Sequence, residues 1–153
     1  MDAPAPRSDD LRAIAYHEAG HVVVGTRLGL QVLGVDIDRD GEGGRGHTHF
    51  APAERTRDFV ERVVTTFMAG FAAEVKLGAP DPDGSGFDLD ATLREWLALL
   101  EPDRRRRPAL AEEYFQRAQT ELEHQGAWPA VEAVAAALLH ARRLDGDAVR
   151  KLL

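Results

Sequence analysis

The strongest constraint on the fold of this 153-residue chain is the apolar pattern between residues 55 and 77. Apolar side chains recur there at steps of three and four residues, which predicts one long helix with a continuous core-facing side. The residues on that side are Phe59, Val60, Val63, Val64, Phe67, Met68, Phe71, Ala72 and Val75. At this length the chain is expected to form one domain around one core.

The segments before this helix predict another helix and a β-hairpin. The pattern from Asp9 to Leu28 is helical, and Gly29 suits its end. Residues 30–38 alternate apolar and polar side chains, and residues 46–50 read as a second strand. The G-x-G-x-x-G spacing of residues 41–46 is interpreted as the hairpin loop, because a dinucleotide-binding loop needs a helix after it.

The last third of the chain is predicted to be helical and the first residues to form a tail. Helical apolar spacing recurs in residues 89–100, 110–122 and 128–138. Leu144-Asp145-Gly146 is expected to turn the chain into a short terminal helix, and residues 1–8, with two prolines and no periodicity, predict a flexible tail. The predicted fold class is mainly α (α+β), one helical domain over residues 9–153 with a small β-hairpin or sheet.

Composition excludes several classes of function. The chain has no cysteine, which excludes a disulfide scaffold, a thiolate zinc finger and a cysteine nucleophile. Its net charge of −7 disfavours nucleic-acid binding. The run Arg104–Arg107 is interpreted as a solvated turn or as arginines paired with neighbouring acidic residues. No stretch approaches the roughly 18–20 apolar residues of a membrane span, and the start lacks the apolar run of a secretory signal. A cytoplasmic protein without a membrane contact is expected.

The segment His17-Glu18-Ala19-Gly20-His21 places H-E-x-x-H inside the first predicted helix. Histidines four residues apart project from one face of a helix and can share a metal ion. The glutamate between them can accept a proton from a water that zinc activates. Only about 0.02 accidental matches to this pattern are expected in a chain of this composition, so a metal site is favoured over an incidental pair of histidines.

Two histidines leave zinc without a third protein ligand, and several residues could supply it. His47 and His49 lie on one side of a predicted strand and could bind the metal, line a substrate groove or be solvated. His124 and His140 are expected at the surface of C-terminal helices. Asp88 and Asp90 are the chief carboxylate candidates.

Four segments also carry a resemblance to a known family. They are Ala15–Val23, Met68–Glu74 with Gly78, Ser85–Leu89, and Leu144–Leu153. They resemble, in that order, the opening of the peptidase domain of FtsH-type ATP-dependent zinc metalloproteases, its Gly-Arg-Ala-Ala-Glu helix, its Gly-x-x-Asp-Leu segment and its closing Leu-Asp-Gly helix. The resemblance extends over about residues 9 to 153 and implies a zincin-like fold without the family's AAA+ module.

The resemblance also implies a role for each matching residue. His17 and His21 become zinc ligands, Glu18 the general base and Asp88 the third ligand. Two departures bear on this assignment. In the family, Ala-Thr follows the Asp-Leu pair two residues on, whereas here Asp90 stands directly before Ala91-Thr92; Asp90 is the second choice for the third ligand. The other departure is Phe71, which replaces the family's arginine.

The expected function is that of a zinc metalloendopeptidase with one Zn²⁺ per chain, acting on unfolded or flexible polypeptides without its own ATPase. A separate ATPase or adaptor and self-association are expected as further partners, and a substrate chain could add to the edge of the hairpin beside His47 and His49. The alternative is a regulatory or binding module that keeps zinc in the peptidase fold but performs no physiological cleavage.

Overall fold

The computed structural model of the chain describes residues 8–37, 46–79 and 91–153. These ranges contain six helices and a three-stranded antiparallel sheet, which confirms the predicted mainly α class with a small sheet. The elements are α1 (Ser8–Arg27), β1 (Val32–Asp36), β2 (His47–Phe50), α2 (Arg57–Leu77), α3 (Ala91–Leu100), α4 (Arg107–Glu123), α5 (Ala127–Ala141), β3 (Arg143–Asp145) and α6 (Gly146–Leu152).

The two long helices α1 and α2 pack against each other through small residues. A Cβ built on Gly20 of α1 would lie 2.5 Å from the Ala69 carbonyl oxygen and 2.9 Å from the Cβ of Ala73, both on α2. Only glycine permits this close approach of the two backbones, and that approach brings the H-E-x-x-H face of α1 against α2. Helix α5 covers another side of α1, where the rings of Tyr16 and Trp128 lie 5.6 Å apart.

The predicted apolar face of α2 is buried or partly buried except at its last turn. Val75 is 59% exposed, so its assignment to the core face is wrong. Since α1 is contacted by Ala69 and Ala73, a residue two positions after Ala73 lies about 200° round the helix, on the opposite side. Helix α2 begins after Thr56, whose side chain accepts a hydrogen bond from the Phe59 N–H, and Gly78 ends it with a left-handed φ of 81°.

The sheet has the order β2-β1-β3, so β2 lies at one edge. Strands β1 and β2 form the predicted hairpin pair, with Thr48 opposite Val35. Strand β3 pairs with the other side of β1, with Leu144 opposite Val35. The sequence predicted only a turn at residues 144–146, because a three-residue strand with two charged side chains is too short to show a detectable alternation.

Several sequence predictions concern residues outside these ranges. The tail is one of them, except that α1 already begins at Ser8, within the predicted tail. The hairpin loop before Gly46 and most of the loop after α2, with Asp88 and Asp90, also lie outside the described residues. Within the described ranges, no helix has the length and apolar character that crossing a bilayer requires.

Candidate metal centre

The side chains of His17, Glu18 and His21 lie together on α1, facing α2 and β2. All three residues are buried, with exposed fractions of 7%, 3% and 9%. Each offers one ligand atom, and these atoms lie within 4.8 Å of one another. The two imidazole rings stand edge to face with centroids 4.6 Å apart. The spacing of i and i+4 thus produces the convergence that the sequence predicted.

Groups on α2 hold both histidine rings by their Nδ1 atoms. His21 Nδ1 lies 2.7 Å from the Thr66 carbonyl oxygen, which can only accept, so Nδ1 carries the proton. His17 Nδ1 lies 2.8 Å from Glu74 Oε1, and the carboxylate selects the same tautomer. In a neutral imidazole protonated at Nδ1, the Nε2 atom carries the lone pair that binds a metal.

Gly70 of α2 leaves space where the two rings converge. A Cβ built on Gly70 would lie 2.6 Å from His17 Nε2 and 2.7 Å from His21 Nε2. Both Nε2 atoms therefore lie close to the backbone of α2 at Gly70, and any side chain larger than hydrogen at this position would crowd them. Two neutral imidazole nitrogens beside a carboxylate form a donor set that suits zinc. The described residues fit the ion that the sequence predicted.

Strand β2 lies over the Glu18 side chain. The Thr48 hydroxyl donates a hydrogen bond of 2.5 Å to Glu18 Oε2. A Cβ on Gly46 would lie 2.8 Å from Glu18 Cγ and would collide with the Asp36 carbonyl oxygen. No sequence pattern indicated Thr48, Gly46, Glu74 or Thr66 as contributors to the site, because their contacts with α1 span 28 to 57 positions in the chain.

The centre forms part of the wall of an open cavity of about 440 Å³. The described lining residues are His17, Glu18, His21, Leu30, Gly46, His47, Thr48, Phe50, Val63, Thr66, Phe67, Phe71 and Thr92. Phe71, which replaces an arginine of the resembled family, packs edge to face on His17 with ring centroids 5.0 Å apart. Apart from the centre itself, His47 and Gly46, the described part of the wall combines apolar side chains with threonines.

The structure separates His47 and His49 from the metal-binding atoms. They share the exposed face of β2 and stack with ring centroids 6.0 Å apart, while Thr48 and Phe50 take the opposite face. His47 lines the cavity, and His49 Nε2 lies 3.7 Å from Asp36 Oδ2. Among the described residues, the group that could hold a metal is His17, Glu18 and His21. A role of His47 and His49 in substrate binding stays a prediction.

The remaining sequence candidates lie at the surface. His124 and His140 are exposed, as expected. In the arginine run, Arg106 lies within salt-bridge distance of Glu101 and Asp103, and Arg107 donates hydrogen bonds to the Glu101 and Pro102 carbonyl oxygens. These two arginines therefore interact with residues 101–103, which lie just before them in the chain.

The fold and the centre together define a mainly helical domain with a small antiparallel sheet beside an H-E-x-x-H helix. Comparison with known sequences agrees with the family resemblance. The chain is 39% identical over 85 residues to the ATP-dependent zinc metalloprotease FtsH of Mycoplasma mobile, and 33% identical over 101 residues to that of Metamycoplasma arthritidis. These matches cover 48% and 59% of this chain but only 12% and 13% of those proteins. No family model matches the chain. The predicted resemblance to FtsH is thus confirmed for a segment of the chain.

Proposed function

We propose that this protein is a zinc-dependent endopeptidase that hydrolyses unfolded or flexible polypeptides. The observation that carries the proposal is the convergence of two imidazole Nε2 atoms over Gly70, beside a buried glutamate in an open cavity. A structural zinc site takes four protein ligands and requires no general base beside the metal. Here the Glu18 carboxylate lies beside the two histidines and accepts a hydrogen bond from the Thr48 hydroxyl. The sequence similarity to FtsH zinc metalloproteases supports the same function.

His17 and His21 would hold one zinc ion per chain, with Asp88 as the proposed third ligand and Asp90 as the second choice. Zinc in such a site lowers the pKa of a water and polarises a carbonyl oxygen. Glu18 then acts as the general base. Its carboxylate accepts the proton that the attacking water loses as the new C–O bond forms. It passes that proton to the amine nitrogen as the C–N bond breaks, so Glu18 is restored after each cleavage.

The surroundings of the centre suit an extended polypeptide. Strand β2 is an edge strand beside Glu18, and an extended chain can add to such an edge through main-chain hydrogen bonds. The apolar side chains of the cavity would receive substrate side chains. If His47 and His49 line that groove, replacing both with alanine weakens cleavage and leaves zinc in place, whereas loss of zinc would make them ligands.

Other features of the proposal rest on the resemblance. They are delivery of substrates by a separate ATPase or adaptor, and self-association. The cytoplasmic location proposed with them comes from the sequence pattern and not from the resemblance. Binding to nucleic acid or to a membrane is not part of the proposal. Polypeptides that are already unfolded or flexible need no unfolding before cleavage, which makes them the substrate for a first assay.

The proposal is tested by cleavage of a permanently unfolded, fluorescently labelled polypeptide by the zinc-loaded wild type and by Glu18→Gln. We expect the substitution to lower the rate by at least about 100-fold, the usual size of a general base's contribution. Zinc per chain should stay unchanged. Glu113→Gln, an exposed glutamate of α4, is the matched control and should cleave like the wild type.

The same experiment distinguishes the alternative function. A wild type that holds one zinc per chain but cleaves no unfolded polypeptide would support the regulatory or binding module. Cleavage that Glu18→Gln leaves intact would contradict the role of Glu18.

A further inference from the structure

The Glu18 carboxylate is held by a residue outside the H-E-x-x-H helix. Thr48 Oγ1 donates to Glu18 Oε2 at 2.5 Å, across 30 positions of the chain. Glu18 is 3% exposed, so a charged carboxylate at this place depends on hydrogen bonds from the protein. The terminal torsion of a glutamate has a broad energy profile, and α1 alone does not fix the plane of the carboxyl group.

The position of Thr48 is itself well determined. Its strand partner in β1 is Val35, which is 2% exposed. Gly46, two residues before Thr48, lies so close to Glu18 that an added Cβ would be 2.8 Å from Glu18 Cγ. Threonine is branched at Cβ, which restricts its first side-chain torsion and suits a strand. The hydroxyl is thus directed at Glu18 by a stiff side chain on a paired strand.

We infer that Thr48 is a positioning residue that orients the Glu18 carboxylate for proton transfer. Its hydroxyl hydrogen occupies Oε2, which leaves Oε1 to accept the proton of the attacking water and to release it to the amine. This inference rests on the proposed function, because it assigns Thr48 a role through the general base of that reaction. The substrate and the metal need not touch Thr48.

The first test compares zinc-loaded wild type, Thr48→Val and Thr48→Ser on the unfolded polypeptide. Valine keeps the shape and removes the hydroxyl, whereas serine keeps the hydroxyl. We expect Thr48→Val to lower kcat about 10- to 100-fold, the cost of a misplaced catalytic group, with KM changed less than about threefold. Thr48→Ser should recover most of kcat, and zinc per chain should be equal in all three proteins.

The matched control is Thr65→Val. Thr65 is a buried threonine of α2 whose hydroxyl donates to the Glu61 carbonyl oxygen at 2.8 Å. The substitution removes a hydroxyl of the same kind outside the described lining of the cavity, and it should leave kcat near the wild-type value. A wild-type kcat in Thr48→Val, an effect confined to KM, or a loss that serine fails to repair would each overturn the inference.

A second measurement requires no activity. The denaturant midpoint of unfolding is compared for Thr48→Val in the wild type and in a Glu18→Ala background, which isolates the interaction between the two side chains. We expect valine to lower the midpoint in the wild type and to have little effect, or to raise the midpoint, once Glu18 is gone. Thr65→Val should shift the midpoint equally in both backgrounds.

The two measurements separate the inference from the proposed function. If the wild type cleaves nothing, the proposed function fails, and the unfolding cycle still decides whether Thr48 holds Glu18. Equal shifts for Thr48→Val in both backgrounds would overturn the coupling itself.

Discussion

Gly70→Ala should remove zinc from the centre while leaving the fold intact. The added methyl carbon would lie 2.6 Å from both His17 Nε2 and His21 Cε1, and 2.7 Å from His21 Nε2. These distances are about 1 Å shorter than the ~3.5 Å at which such atoms pack well. The rings must therefore retreat by much more than the about 0.2 Å of variation that a metal site tolerates. The methyl group would also occupy the space where both nitrogens converge.

The effect on stability should be small by comparison. Alanine is favoured over glycine by about 1 kcal/mol in a helix interior. Weakening one of the hydrogen bonds that hold the rings, to Glu74 or to the Thr66 carbonyl, costs about 1 kcal/mol in the opposite direction. We expect the metal-free variant to unfold with a free energy within about 1 kcal/mol of the wild type, because the two terms are similar in size.

The assay is competition for zinc with a chelator of known affinity, with denaturant unfolding of the metal-free proteins beside it. Zinc affinity should fall by at least about 100-fold, the upper end of what losing one outer hydrogen bond costs. Gly34→Ala is the matched control, because a Cβ there makes an ordinary contact of 3.4 Å with the Leu144 carbonyl oxygen. Wild-type zinc affinity in Gly70→Ala would refute the assignment of both Nε2 atoms as ligands.

Two further predictions follow from single contacts. Glu74→Gln weakens the acceptor that orients His17, so zinc affinity should fall about 10- to 100-fold in the same competition assay, with unchanged affinity as the contrary result. Burial and a hydrogen bond to Glu61 raise the pKa of Tyr114 to about 12. The unfolded phenol ionises near pH 10, so the stability that Tyr114 contributes is complete below about pH 10 and is lost as the pH rises towards 12. Thermal unfolding at pH 9 and 11 should therefore show a smaller alkaline loss for Tyr114→Phe than for the wild type, and equal losses would contradict this.

Local patterns predicted the helices and the grouping of His17, Glu18 and His21 on one helix face. The apolar spacing of α2 and the i, i+4 histidines of α1 are properties of single segments, and the helix period alone determines which side chains share a face. The same reasoning placed β1 and β2. It failed at β3, whose three residues form a strand only because β1 offers them an unpaired side.

The remainder of the centre depends on contacts between distant segments. Strand alternation divides β2 into His47 and His49 on one face and Thr48 and Phe50 on the other. Alternation alone does not predict which of the two faces contacts α1. In the structure, Thr48 lies on the face that contacts α1. The space over Gly70 likewise arises only once α1 and α2 are packed together.

The most direct test of the metal centre is to measure zinc per chain by elemental analysis of purified protein that has not been exposed to a chelator. Wild type, Asp88→Asn and Asp90→Asn are compared after each is shown to be folded. With Asp88 as the proposed third ligand, we expect about one zinc per chain in the wild type and in Asp90→Asn, and loss of most of it in Asp88→Asn, since a catalytic zinc site takes three protein ligands. A folded wild type without zinc would contradict both the metal centre and the peptidase function built on it.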